Sequence, residues 1–99
     1  MVIKAPKAKS ADECERLEQL PNVGPALAAD LRLMGFAHPA ELRGQDAFAL
    51  YRRLCEVTGQ RQDPCVLDTF MAITDFMRGA AAAPWWNYPA QRKATFGAV

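Results

Sequence analysis

The residues that could do chemistry in this 99-residue chain are few: one histidine, three cysteines and eleven carboxylates. His38 stands before Pro39 and three residues before Glu41, and reads as the residue that opens a helical turn. A metal site built from His38, Cys55 and Cys65 lacks a fourth ligand, and the spacing matches no zinc pattern. Cys65 follows Asp63-Pro64 in the first turn of a helix, where the dipole can lower a thiol pKa, with Arg61 nearby. A reactive thiol is one reading of Cys65; a buried structural cysteine is the preferred one. Cys55 and Cys65 facing each other across a loop leave a pair between them as an alternative. Asp68 and Asp75 share one helical face and read as solvated charge, paired with Arg61, Arg78 or neighbours. No nucleophile, base and orienting group converge, so no catalytic residue, no metal ligand set and no enzyme activity is expected.

A different chemistry, the seating of an anion, is written in Leu20-Pro21-Asn22-Val23-Gly24-Pro25-Ala26-Leu27-Ala28. A tight turn running into a helix aims several unpaired amides outward, and the helix dipole favours negative charge there. Pro25 suits the first helical position, because its missing N–H would have no partner in any case. Gly24 is expected to allow close approach of a ligand and to take unusual backbone angles, and Val23 to tuck beneath the turn and fix it. The second candidate surface is Trp85, Trp86 and Tyr88, three large aromatics in four residues. They either fold back to cap a small core or form a stacking or partner-binding platform.

Five short helices are expected to position these groups, forming a core over residues 11–79. Ser10-Ala11-Asp12-Glu13 has the form of a capping box opening a first helix to about Gln19, with Cys14 and Leu17 inward. Pro25 opens the second helix, in which Leu27, Ala28, Leu31 and Met34 recur at helical spacing before Gly35. A third, of about one turn, follows His38-Pro39 and stops at Gly44. Asp46 caps a fourth, with Phe48, Leu50, Tyr51, Leu54 and Val57, which ends near Gly59. Asp63-Pro64 opens a fifth whose wide apolar arc, from Val66 to Met77, makes it the centre of the core, with Gly79 as its stop. Leu17, Leu31, Leu54, Leu67 and Phe70 are expected to be buried. Residues 1–10 read as a flexible basic tail, and 80–99 as an aromatic and basic extension that packs back on the core.

Composition narrows the rest. Half the residues are apolar, as in an ordinary globular domain, and no apolar run approaches a membrane span or a signal peptide. An odd number of cysteines, each inside a helical pattern, suits reduced thiols in the cytoplasm. The net charge is +1, but Lys4, Lys7, Lys9, Arg92 and Lys93 all lie in the two ends. Between Asp12 and Arg78 seven bases meet eleven acids, so the core carries −4 and lacks the basic stripe typical of a nucleic-acid binder.

The turn around Gly24 resembles the hairpin of helix-hairpin-helix proteins, whose pattern runs approximately apolar-Pro-Gly-apolar-Gly-Pro-Lys-x-Ala. There the backbone amides grip a phosphate, often with a bound monovalent cation, so the resemblance implies the same possibilities for this turn. Asn22 replaces the first glycine; among residues with a side chain it best tolerates left-handed geometry, and Asn22→Gly is expected to be tolerated. Ala26 replaces the lysine, leaving Arg32, two turns down the same helix, as the nearest substitute cation. Over residues 17–93 the chain is similar to the small bacterial pathogenicity-locus proteins, also called mitomycin-resistance proteins. Pro21-Asn22-Val23-Gly24-Pro25, Leu42-Arg43-Gly44-Gln45-Asp46, Thr58-Gly59-Gln60-Arg61, Asp63-Pro64-Cys65-Val66-Leu67-Asp68 and Pro84-Trp85-Trp86 carry that likeness. In that pattern a histidine often precedes Asp-Pro-Cys; Gln62 stands here instead. The family implies an all-α, SAM/helix-hairpin-helix-like fold and association with DNA. The expectation is therefore a weak, sequence-independent DNA-binding module with Asn22, Val23, Gly24, Ala26 and Arg32 at the phosphate. The alternative is a protein–protein adaptor that uses the hairpin with Trp85, Trp86 and Tyr88. What separates them is whether the open amides share a face with the basic ends, or whether acids crowd the turn.

Overall fold

The computed structural model describes residues 7–97, and all regular structure in them is helical. Lys4 and the rest of residues 1–6 lie outside the described residues, as do residues 98 and 99. Four α-helices occur among the described residues: α1, Pro25–Leu33; α2, Ala47–Thr58; α3, Pro64–Met77; and α4, Pro89–Phe96. Single 3-10 turns at Ala11–Glu13, Leu17–Gln19, Pro39–Leu42 and Trp85–Asn87 connect them. The expected five-helix core is thus corrected to three α-helices within residues 11–79 and a fourth in the C-terminal extension.

The start and stop signals of α1, α2 and α3 operate as physics requires. Pro25 and Pro64 take the first helical position, where a missing N–H costs nothing. The Asp46 carboxylate accepts the Ala49 amide at 2.9 Å, and Asp63 accepts that of Cys65 at 2.9 Å. Gly35, Gly59 and Gly79 follow their helices with positive φ. The first expected helix fails. Ser10 makes no capping bond, and the chain is extended at Cys14 and Arg16 between two separate 3-10 turns. The Gln19 side chain takes the amides of Glu15 and Arg16, both at 2.9 Å, offering the backbone a local alternative to helical bonding. With only Cys14 and Leu17 to bury, a helix of nine residues has little packing to offset the cost of its nucleus.

α3 is the axis of the fold. Leu67 through Thr74, with Phe76 and Met77, are buried, and α2, α4 and the turns at Pro39–Leu42 and Trp85–Asn87 all pack on it. Leu17, Leu31, Leu54, Leu67 and Phe70 are fully buried, as expected, although Leu17 reaches the core from a 3-10 turn rather than from a helix. The radius of gyration, 12.8 Å, is that of a well-packed chain of this length. α4 was not legible as a helix. Arg92 reaches from it to Asp68 on α3 at 2.7 Å, and Phe96 stacks on Phe48 of α2 with ring centroids 4.9 Å apart. Asp68, expected as solvated charge, is instead 1% exposed beneath Arg92.

At the other end, Ala8 donates its amide to the Gln19 carbonyl at 2.9 Å, so residues 7–10 run beside the second 3-10 turn. Among the described residues no helix is long and apolar enough to cross a membrane.

Candidate functional site

Leu20 to Val23 form a β-turn closed by a 3.1 Å bond from the Val23 amide to the Leu20 carbonyl. Pro21 stands second in it, and Asn22, third, has φ +71°, the pattern of a type II turn. Asn22 therefore holds the left-handed position, as its tolerance for that geometry allows. Gly24 does not share the unusual angles expected of it: φ is −95° and ψ −177°, ordinary extended backbone. The reason is the turn type, which places its one positive φ at Asn22. A Cβ on Gly24 would meet nothing within 4 Å, so the position opens outward. Val23 lies beneath, 1% exposed.

Beyond the turn the first peptide groups of α1 are open. Among the described residues, the amides of Gly24, Ala26 and Leu27 have no protein acceptor, and Gly24, Pro25 and Ala26 are exposed. On the carbonyl side, the Lys7 ammonium donates to the Glu18 carbonyl at 2.9 Å and to the Val23 carbonyl. A basic residue from the N-terminal end thus stands at the turn itself.

Arg32 is held elsewhere. Its guanidinium forks onto the Glu18 carboxylate at 2.9 and 2.8 Å, and that hydrogen bond is the first cause holding the Glu18 pKa down at about 2. Glu18, two residues before the turn in sequence, is thereby paired with Arg32, whose guanidinium is held by that carboxylate. Arg92 likewise spends its charge on Asp68, so of the expected basic ends Lys7 alone is placed at the turn by a described contact.

The Asn22 side chain does something its sequence position does not announce. Its Nδ2 donates to the Ala83 carbonyl at 2.8 Å, and its Oδ1 accepts the Trp85 amide at 3.1 Å. One amide thus clasps the segment that carries the aromatics against the turn. The aromatics then diverge. Tyr88 is 9% exposed, packs on the core and donates its hydroxyl to Asp75 at 3.0 Å; burial, then that bond, pushes its pKa up to about 12. Trp86 is 66% exposed and meets Trp85 edge-on, with ring centroids 6.0 Å apart and an interplanar angle of 82°. Tyr88 thus folds back onto the core while Trp86 stays exposed, and the two candidate surfaces join at Asn22.

The candidates for covalent or metal chemistry stay apart. Cys14, Cys55 and Cys65 are free, and among the described residues no group of histidine, cysteine and carboxylates could hold a metal. Burial, then the Asp63 carboxylate, pushes the Cys65 thiol up, outweighing a backbone hydrogen bond that lowers it. His38 opens its 3-10 turn as expected; its amide bonds the Glu41 carboxylate at 2.7 Å, which holds that carboxyl below its usual range. Gln62 donates to the Thr58 hydroxyl at 3.0 Å and serves the loop between α2 and α3.

Comparison with known proteins places the chain. A family model described as "Pathogenicity locus" matches residues 10–94, which takes in the turn, α1 to α3, most of α4 and both tryptophans. The chain belongs to the pathogenicity-locus family. A mitomycin resistance protein of Streptomyces lavendulae is 43% identical over 77 residues, covering 78% of this chain and 73% of that one. No solved structure matches the chain. For a member of the pathogenicity-locus family, then, the candidate site is an exposed helix start with open amides. It has a lysine behind it and a tryptophan clasped to its side.

Proposed function

We propose that this chain is a small, non-enzymatic DNA-binding module of helix-hairpin-helix type, in which the turn before α1 seats a backbone phosphate without reading sequence. The observation that carries the reading is the set of open amides on Gly24, Ala26 and Leu27 at an exposed helix start. Several N–H groups and a helix dipole directed at one point make an anion site. The Val23 carbonyl at the turn already takes the Lys7 ammonium. The module on this reading carries its own positive charge and needs no dissociable cation. Glu18, tied to Arg32, does not oppose a phosphate with a free carboxylate. Affinity is weak, because few cations support the turn and the core between Asp12 and Arg78 is acidic. The free cysteines suit the cytoplasm, and the name of the Streptomyces relative is consistent with a role in tolerance of damaged DNA.

The test is Ala26→Lys, which restores a cation beside the open amides. Duplex affinity at one fixed, low salt concentration should rise several-fold, with melting temperature unchanged because residue 26 is exposed. A normally folded variant with unaltered affinity would mean that the turn does not face a phosphate. One observation favours a second reading, a protein adaptor: Trp86, 66% exposed, is the kind of anchor that protein interfaces use, and it lies beside the turn.

A further inference from the structure

We infer that Trp86 is a stacking platform for an unpaired base, so that the ligand of this site is single-stranded or locally unpaired nucleic acid rather than intact duplex. The inference rests on the phosphate-seating reading of the turn and adds the base to it. Three observations carry it together.

The Asn22 side chain fixes the backbone of residues 83–85 to the turn through both of its polar atoms, at 2.8 and 3.1 Å. Trp86 follows one peptide step later, so its backbone lies beside the turn that leads into the open amides. Its indole is 66% exposed and in edge contact with the half-buried Trp85, at an interplanar angle of 82°. An exposed aromatic offers a face, and every base has a face to stack on it, which gives affinity without sequence preference. Tyr88, two residues on, turns inward and anchors the segment to α3 through Asp75, so the extension is braced on both sides of Trp86. A duplex keeps its bases stacked on one another and presents only its phosphates to such a surface. A strand with a splayed base satisfies amides and indole at once.

The experiment compares three ligands on the full chain at one low salt concentration. They are an oligothymidine, an abasic strand of the same length and charge, and a duplex of that length. Binding is followed by fluorescence anisotropy and by quenching of tryptophan emission. The inference expects oligothymidine to bind at least about 5-fold more tightly than the abasic strand, with emission quenched. Trp86→Ala should erase that preference, and Trp86→Phe should keep part of it; Trp86 is exposed, so both variants should fold, and circular dichroism checks this. Equal binding of oligothymidine and the abasic strand, or a preference that survives in Trp86→Ala, would overturn the stacking inference and leave the phosphate reading standing. No binding of any of the three would overturn both.

Discussion

The hairpin pattern alone says that Asn22→Gly is tolerated; the bonds made by Asn22 say that it loosens the site. Two effects oppose each other. Glycine adopts φ +71° more readily than asparagine, which favours the variant by up to about 1 kcal/mol. Against this, the variant loses the bonds to the Ala83 carbonyl and the Trp85 amide, both half-buried, at about 1 kcal/mol each. Glycine also widens the unfolded ensemble, at a further ~0.5 kcal/mol. The net is a destabilisation of about 1–2 kcal/mol, a fall of roughly 4–15 °C in melting temperature for a domain of this size. Asn22→Ala loses the same bonds and strains a left-handed position as well, so it should cost about 3 kcal/mol. Thermal unfolding followed at once by circular dichroism and tryptophan emission reads both quantities. Because the lost bonds hold residues 83–85, emission should shift to the red in the folded baseline, before the helices melt. An Asn22→Gly protein with wild-type melting temperature and unshifted emission would refute the clasp.

Other outcomes follow from the same contacts. Gly24→Ala should leave stability within about 0.5 kcal/mol, since its backbone is extended and its Cβ meets nothing, while the added methyl lowers DNA affinity; unchanged affinity would remove phosphate from the turn. Arg92→Met should cost about 3 kcal/mol in thermal or denaturant unfolding by stranding the Asp68 carboxylate, and Asp68→Leu combined with Arg92→Met should recover much of it; a single variant costing under about 1 kcal/mol would deny the buried pair its role. Both tyrosines should ionise above their usual pH near 10, Tyr88 at about 12, as read by ultraviolet absorbance, and Tyr88→Phe should remove the later step. The folded pKa of Tyr88 is raised, so its contribution to stability is complete below pH ~10 and is lost as pH rises towards ~12. A wild-type melting temperature that falls no faster than that of Tyr88→Phe across this range would contradict that sign.

Local grammar was legible wherever one or two residues decide the backbone. Asp46, Asp63, Pro25, Pro64, Gly35, Gly59 and Gly79 mark ends whose energetics are settled within a turn, and α1 to α3 follow. The stretch from Ser10 to Gln19 misleads because its capping residues promise a helix while its apolar content cannot support one, and Gln19 bonds the backbone otherwise. At the site, the left-handed fit of Asn22 is a property of the residue type and could be read. Its clasp on Ala83 and Trp85 spans more than sixty positions and leaves no periodic trace. The choice of Glu18 by Arg32, and of Asp68 by Arg92, likewise depends on which elements pack together, and a list of charges holds no such information. The exposure of Trp86 and the burial of Tyr88 depend on how residues 83–88 pack against the turn and α3, and the α4 that follows carries only Pro89 and Gly97 as local signals.

The peptide group between Val23 and Gly24 joins two facts given separately above. Its carbonyl end accepts the Lys7 ammonium, and its amide end is the open N–H of Gly24. A full positive charge on the oxygen draws electron density along the conjugated O–C–N unit, leaving the hydrogen at the far end more acidic. Lys7 would thus act on a phosphate seated at the turn without touching it, through one resonant bond. The turn's donor strength becomes a quantity set from outside the turn. Losing the Lys7 charge, by substitution or by acylation of its amine, would weaken the Gly24 N–H as a donor while leaving its geometry in place.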